Sequence, residues 1–122
     1  MAQETLNVII KAIKLMEYTM TITSNRKRYP AKYIQLVQRI QNKSMDIYEY
    51  LIEANRLSLE TCKAERLELQ TKAILSCDKL SCFVEMSMNL NLVGSDTVNN
   101  WQKQIDDIKY MTIAWRERDK ER

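Results

Sequence analysis

Apolar residues recur along the chain at a spacing close to 3.6 residues, which is the period of an α-helix. The pattern divides into four segments, and each one places its apolar residues on one face when it is drawn as a helix. These faces hold Leu6, Ile9, Ile10, Ile13 and Met20 with Met16 at the edge; Tyr33, Val37, Ile40, Ile47, Leu51 and Ala54; Leu69, Ala73, Cys77, Leu80 and Val84; and Val98, Trp101, Ile105, Ile108 and Trp115. Each face predicts an amphipathic helix that buries this stripe against its neighbours.

Three short stretches interrupt the periodicity, at residues 24–30, 55–60 and 94–96. Pro30 should begin the second helix, because proline suits a first helical turn but not a helix interior. Gly94 should end the third helix, and Ser95 or Asp96 should cap the fourth. The predicted helices therefore cover residues 5–24, 30–54, 61–92 and 96–117.

The low number of turn-forming residues supports a small set of long helices. The 122 residues include 1 Gly and 1 Pro, whereas all-β folds use many residues of these types in turns. Four amphipathic helices with short connections pack best as an antiparallel up-down-up-down bundle. We therefore predict an all-α four-helix bundle that forms a single domain over residues 1–122.

Composition excludes several kinds of chemistry. With 0 His, the chain cannot form a Ser-His-Asp triad or a Glu-x-x-His metal site. Gly94 alone cannot supply a phosphate-binding glycine loop. The neighbouring acids Glu49 and Glu53, and Asp106 and Asp107, could in principle hold a divalent metal, but a solvated helix face explains them better. We expect no catalytic residues, no metal, no cofactor and no enzymatic activity.

The cysteines and the N-terminus indicate a reducing compartment. The chain has three cysteines, Cys62, Cys77 and Cys82. An odd number without a Cys-x-x-Cys pair does not indicate a disulfide framework, so we expect reduced thiols packed as small apolar groups. The first residues lack the basic and apolar regions of a signal peptide, and no segment resembles a membrane span. A cytoplasmic location without membrane contact follows as the expectation.

Positive charge is concentrated in the first half of the chain. The net charge is +3, and residues 18–45 contain no acid. On the second helix, Lys32, Arg39 and Lys43 share a flank of the core stripe with Tyr50, and this line could track a phosphate backbone. A solvated helix end beside a basic loop is the alternative interpretation. The predicted nucleic-acid-binding residues are Arg26, Lys27, Arg28, Lys32, Arg39 and Lys43.

The other flank of the second helix carries apolar residues that a lone bundle does not need. They predict a second contact surface, through which the protein would associate with itself, although a wide core face is an alternative. The predicted interface residues are Ile34, Met45, Tyr48 and Ile52. At the other end of the chain, residues 116–122 alternate in charge and predict a solvated, fraying helix end.

Two stretches resemble the accessory variability determinant (Avd) family of diversity-generating retroelements, one of several families of small prokaryotic four-helix-bundle proteins. The similar stretches are residues 46–56 (DIYEYLIEANR) and residues 101–108 (WQKQIDDI), the second followed by IAWR at residues 113–116. The resemblance spans nearly the whole chain, and rests on helix lengths and scattered residues. The low net charge departs from the usually more basic character of the family.

The resemblance implies a non-enzymatic bundle that forms a homopentameric ring with a positively charged surface. Such proteins bind a reverse transcriptase and nucleic acid, RNA or DNA, and support the copying of template RNA into mutagenised cDNA. We therefore expect an accessory protein of this kind. The alternative is an oligomeric partner-binding bundle of a mobile element or phage that has no role with nucleic acid.

Overall fold

In a computed structural model, the described residues 3–122, apart from the side chain of Glu4, fold into four α-helices. They are α1 (Gln3–Thr23), α2 (Ile34–Arg56), α3 (Lys63–Asn89) and α4 (Ser95–Glu121), and a 3₁₀ turn (Ala31–Tyr33) leads directly into α2. No strand occurs within this described range. The predicted all-α four-helix bundle is confirmed.

Each helix contacts its two neighbours around the bundle, and α1 closes the circle by contacting α4. Near the end of α1, the Thr23 hydroxyl accepts a hydrogen bond from Gln41 Nε2 in the first half of α2, at 2.9 Å. On the opposite flank of α1, the Tyr18 hydroxyl accepts a bond from Asn100 Nδ2 at 3.2 Å, at the start of α4. Adjacent helices therefore run antiparallel, as an up-down-up-down bundle requires.

The face predicted for α4 is the centre of the core. Trp101, Ile105 and Ile108 are at most 1% exposed, as the periodicity indicated. Trp101 also donates from Nε1 to the Thr19 hydroxyl of α1 at 3.1 Å. Its ring stands edge-on to that of Tyr18, with 6.3 Å between centroids. This indole thus fills the space between α1 and α4 and keeps its one polar atom paired.

The face predicted for α1 is wrong, apart from Ile9. Leu6, Ile10 and Ile13 are about two-fifths exposed. Threonine contributes to the error, because Thr5, Thr19 and Thr23 lie on the buried face and threonine counts as polar in a hydrophobic pattern. Thr23, for example, donates to the Thr19 carbonyl at 2.8 Å and so buries no unpaired hydroxyl. The buried residues are Thr5, Val8, Ile9, Ala12, Leu15, Thr19, Ile22 and Thr23.

The connection between α3 and α4 differs from the prediction for Gly94. The helix ends at Asn89, and Asn91 adopts the left-handed conformation with φ 61°. The Leu92 amide donates to the Ser87 carbonyl at 2.9 Å, and the Asn91 amide donates to the Met88 carbonyl at 2.9 Å. These two bonds form a Schellman motif, in which asparagine can replace the usual glycine. Gly94, with φ −81°, is instead the N-cap of α4.

The C-terminal run of charges is not the solvated, fraying end that its alternation suggested. The helix continues to Glu121, and Asp119 is fully buried. Its carboxylate accepts hydrogen bonds from Arg66 Nε and Gln70 Nε2, both at 2.7 Å. A charge pattern cannot reveal this burial, because the partners lie on α3.

None of the three cysteines forms a disulfide in the structure, and only one of them packs as predicted. Cys77 is fully buried, Cys62 is partly exposed and Cys82 is exposed. Burial is the main reason that the pKa of the Cys77 thiol rises to about 12, and the nearby Asp78 carboxylate adds to the effect.

Candidate nucleic-acid interface

The loop between α1 and α2 is held by its own backbone and by one asparagine. Asn25 Oδ1 accepts hydrogen bonds from the amides of Lys27 at 3.0 Å and Arg28 at 3.3 Å. The Asn25 carbonyl also accepts from the Tyr29 amide at 2.8 Å. Asparagine favours such turns because its short side chain mimics a backbone acceptor. The loop is therefore an ordered platform.

Tyr29 anchors this loop to the bundle. It is 2% exposed, and its hydroxyl lies near the Ser87 hydroxyl of α3, which itself donates to the Phe83 carbonyl at 3.0 Å. Within the described residues, the Tyr29 hydroxyl has no hydrogen-bond partner. Burial raises the pKa of this phenol, and Ser87 and Arg28 partly oppose the rise. Inserting Tyr29 inward leaves the basic side chains on either side of it facing solvent.

Four of the six predicted phosphate-binding residues gather at this end of the bundle. Arg26, Lys27 and Arg28 are exposed on the loop. Lys32 is exposed in the 3₁₀ turn, with Nζ 5.2 Å from the centroid of the Tyr33 ring. We refer to Arg26, Lys27, Arg28 and Lys32 as the basic corner.

The remaining two residues, Arg39 and Lys43, lie further along α2 and differ from each other. Arg39 is exposed, whereas Lys43 is only partly exposed and its Nζ lies 3.3 Å from Asp46 Oδ2. That ion pair partly neutralises Lys43. Because Lys32 precedes α2 and has 3₁₀ geometry, the straight line expected from helical spacing joins only Arg39 and Lys43. The structure therefore concentrates the unpaired charge at the basic corner.

The backbone adds to the positive potential there. Neither the 3₁₀ turn nor the start of α2 has a side-chain cap or an acidic residue in its first turn. The amides of Tyr33 and Ile34 donate to the Pro30 and Ala31 carbonyls, so the partial positive charge of this helix start rests on the amides that precede Tyr33. Among the carboxylates whose side chains the structure describes, none forms an ion pair with the basic corner. The corner can therefore offer its charge to an external anion.

A cavity of about 320 Å³ opens beside the basic corner, between the loop and the start of α2. Its polar lining includes Arg26 and Gln41. The rest of its lining consists of Thr23, Ser24, Tyr29, Pro30, Ala31, Ile34 and Val37. No pattern in the sequence indicates this concavity, because it arises from the way that Tyr29 tucks the loop against α2.

The predicted interface flank of α2 faces α1. Ile34, Met45, Tyr48 and Ile52 all lie within about 40° of Gln41 around the helix axis, and Gln41 contacts α1. Tyr48 and Ile52 are partly buried against the core, Met45 is partly buried, and Ile34 is 51% exposed. Part of this flank thus completes the monomer, as a wide core face would.

The exposed side of α1 enlarges the apolar surface next to this flank. Leu6 and Ile13 lie roughly 120–160° around the axis from Tyr18 and Lys11, which contact α4, so they are on the α2 side. Together with Ile10, they form an exposed apolar strip on α1, here called the first strip. Ile34 is also exposed, but it lies at the start of α2, at the opposite end of the α1–α2 pair. The periodicity alone marks all four residues as apolar but assigns the three on α1 to the core.

Exposed apolar residues also lie on α3, where the sequence pattern did not predict them, and they are here called the second strip. Leu75 is 49% exposed and Met86 is 46% exposed, and their separation of eleven residues places them on one helix face. Leu90, 42% exposed, follows one turn later. Exposed Lys79 and Cys82 lie between Leu75 and Met86 on the same face. The sequence pattern does not separate these residues from the core stripe of the third segment, because large apolar residues lie on both faces of the helix.

The acidic pairs do not form a metal site in the part of the chain described. Apart from the side chain of Glu4, no group of three or more potential metal-ligating side chains comes together within residues 3–122. Asp107 instead pairs with Lys11 at 3.8 Å, and Asp106 is exposed. In the same range, no helix is both long and apolar enough to cross a membrane.

No family model, curated protein or solved structure matches this chain.

Proposed function

We propose that the protein is a non-enzymatic accessory protein of a retroelement that binds nucleic acid and a reverse transcriptase and supports mutagenic cDNA synthesis. The observation that carries the proposal is the basic corner. Four cations on an ordered loop and turn, without carboxylate partners among the described residues, are suited to phosphate binding. The resemblance of residues 46–56 and 101–116 to Avd proteins supports the retroelement context and the polymerase partner.

The expected mode of binding is mainly electrostatic. Arginine and lysine contacts to phosphates position a protein on nucleic acid without reading its sequence. Arg39 extends the basic corner along α2, and Lys43 contributes less because of its ion pair with Asp46. We therefore expect binding to RNA and DNA of many sequences, with a steep dependence on salt.

Self-association into a ring, a pentamer by resemblance, completes the proposal. The first strip and the second strip are different surfaces, and contacts between unlike surfaces generate rings when the rotation closes. A ring would repeat the basic corner once per subunit, so that weak phosphate contacts add through multivalency. This arrangement explains how a chain with a net charge of only +3 can bind nucleic acid usefully.

The second candidate is an oligomeric bundle of a mobile element or phage that binds a protein partner and no nucleic acid. The first strip favours it, because Leu6, Ile10 and Ile13 are neighbours on one helix face, and exposed patches of large apolar side chains mark protein contacts.

Retention on immobilised RNA and single-stranded DNA over a series of salt concentrations separates the two candidates. The proposed function predicts retention at low salt that falls steeply as salt rises, together with co-purification of a reverse transcriptase from the source cells. Absence of retention at low salt, with the oligomer intact, would contradict the nucleic-acid role and favour the second candidate.

A further inference from the structure

We propose that the cavity beside the basic corner receives one unpaired nucleobase of a single strand whose phosphates lie on that corner. This inference rests on the proposed function and adds a base-binding site to it. The cavity measures about 320 Å³, within the range of small-molecule sites.

The lining of the cavity offers apolar surface to the faces of a base and a polar group to its edge. Pro30, Ala31 and Ile34 are exposed and apolar, and the nearly buried Val37 and Tyr29 complete the apolar lining. Bases that leave a stack are commonly held between such groups.

Gln41 provides the polar edge of the site. One of its two N–H groups is directed to the Thr23 hydroxyl, at 2.9 Å. A glutamine amide has a second N–H group and a carbonyl oxygen, so it can still offer a donor and an acceptor to a base.

The positive charge at the opening of the cavity favours an anionic ligand. Arg26 belongs both to the lining and to the basic corner, and Lys27 and Arg28 follow it on the exposed loop. A polyanion fits this arrangement, whereas an apolar side chain of a partner protein gains nothing from the cations. A base within a duplex cannot enter a concave site of this kind, so the site selects single strands or unpaired bases.

The test compares two fluorescently labelled single strands of equal length, one with all its bases and one in which every interior nucleotide is abasic. The phosphates are the same, so any difference in affinity comes from the bases. The wild-type protein should bind the complete strand at least about fivefold more tightly, the lower end for stacking of one base.

Two variants fill the cavity without changing any charge. Ala31→Leu and Ser24→Leu replace exposed lining residues with a bulky side chain that offers no aromatic ring for stacking, and Ala114→Leu, at an exposed position on α4, is the matched control. Circular dichroism verifies folding. The filled variants should bind both strands with the affinity that wild type shows for the abasic strand, and the control should keep the preference.

Three results overturn the inference. Equal wild-type affinity for both strands removes the base site but leaves the phosphate-binding function standing. A preference that survives in either folded variant places base recognition elsewhere. Failure of the wild-type protein to bind either strand removes the proposed function and the base site together.

Discussion

Arg66 and Asp119 form a buried ion pair that ties the first turn of α3 to the last turn of α4. Arg66 Nε donates to Asp119 Oδ2 at 2.7 Å, and the Asp119 side chain is 0% exposed. Gln70 Nε2 donates to the same oxygen at 2.7 Å, and Arg66 Nη1 donates to the Leu57 carbonyl at 3.0 Å. The guanidinium also lies 5.2 Å from the centroid of the Trp115 ring. These contacts close the end of the bundle opposite the basic corner.

Removing Asp119 should therefore destabilise the protein strongly. Asp119→Ala leaves the Arg66 charge and the Gln70 amide without their partner, and breaking a buried pair in this way costs about 3–5 kcal/mol. The matched control is Lys11→Ala, which breaks the half-exposed pair with Asp107 and should cost no more than about 1 kcal/mol. Urea unfolding of both variants measures the two values. Similar values for the two variants would contradict the structural role of Asp119.

The sequence determines much of the fold but not the orientation of every helix. The buried stripes of α2 and α4, and most of the stripe of α3, were predicted correctly. In each of these helices, most core residues recur on one face at the helical period. On α1, apolar residues lie on two flanks of the helix. Which flank is buried depends on the fit of Thr19 to Trp101. Such shape complementarity between distant residues leaves no periodic signal, and the same is true of the burial of Asp119.

Among the core residues, truncation of Trp101 should lower the free energy of unfolding the most. Trp101→Ala removes a fully buried indole and its hydrogen bond to Thr19, so the free energy of unfolding should fall by about 3–5 kcal/mol. Tyr110, 63% exposed on the same helix, provides the control, and Tyr110→Ala should change stability by no more than about 0.5 kcal/mol. Thermal or chemical denaturation gives both numbers. An unchanged melting temperature for Trp101→Ala would show that α4 faces another way.

Stability should decline at alkaline pH because of two buried acids. The pKa of Cys77 is raised from 9.0 to about 12, and that of Tyr29 is raised above 10.0, mainly by burial in both cases. The unfolded chain therefore loses these protons at lower pH than the folded protein. The stability they contribute is fully present below pH 9 and is lost as pH rises from 9 towards 12.

Tyr29→Phe tests this origin directly. The variant lacks the ionising hydroxyl, which has no hydrogen-bond partner within the described residues, so the unfolding free energy at pH 7 should be unchanged or higher. Its decline above pH 10 should be shallower than that of wild type. Unfolding curves over this pH range measure the slope, and an identical decline in both proteins would exclude Tyr29 as a contributor.

Self-association should depend on the first strip of α1 and on Ile34, the most exposed residue of the predicted interface flank. Ile13→Glu and Ile34→Glu, combined in one variant, introduce charges at positions 38% and 51% exposed, where a monomer tolerates them but a contact does not. Light scattering should report smaller particles of folded protein. Tyr110→Glu, at an exposed position outside both strips, should leave the particle size unchanged. A wild-type protein that stays monomeric at high concentration would contradict the proposed assembly.

The candidate interface was predictable as a set of charges but not as a surface. The absence of acids from residues 18–45 identifies the cations, and the position of Pro30 indicates a break there. The 3₁₀ turn, the insertion of Tyr29 and the Lys43–Asp46 pair decide which cations are free, and all three depend on interactions that form only after folding.

The salt dependence of nucleic-acid binding is the most direct test of the central claim, that the basic corner binds phosphates. One variant carries Arg26→Gln, Lys27→Gln, Arg28→Gln and Lys32→Gln, and a control carries Lys14→Gln, Arg56→Gln, Lys103→Gln and Lys120→Gln at exposed or half-exposed positions elsewhere. Each variant removes four positive charges from the net charge of +3, so overall charge cannot distinguish them.

Affinity for single-stranded RNA is measured by fluorescence anisotropy over a series of salt concentrations. We expect weaker binding for the corner variant and a log–log slope that is flatter than that of wild type by about 0.7 for each phosphate that the variant no longer neutralises. The control should keep a slope close to that of wild type. Equal slopes for the wild-type protein and the corner variant, or equally weakened binding in the two variants, would contradict phosphate binding at the basic corner.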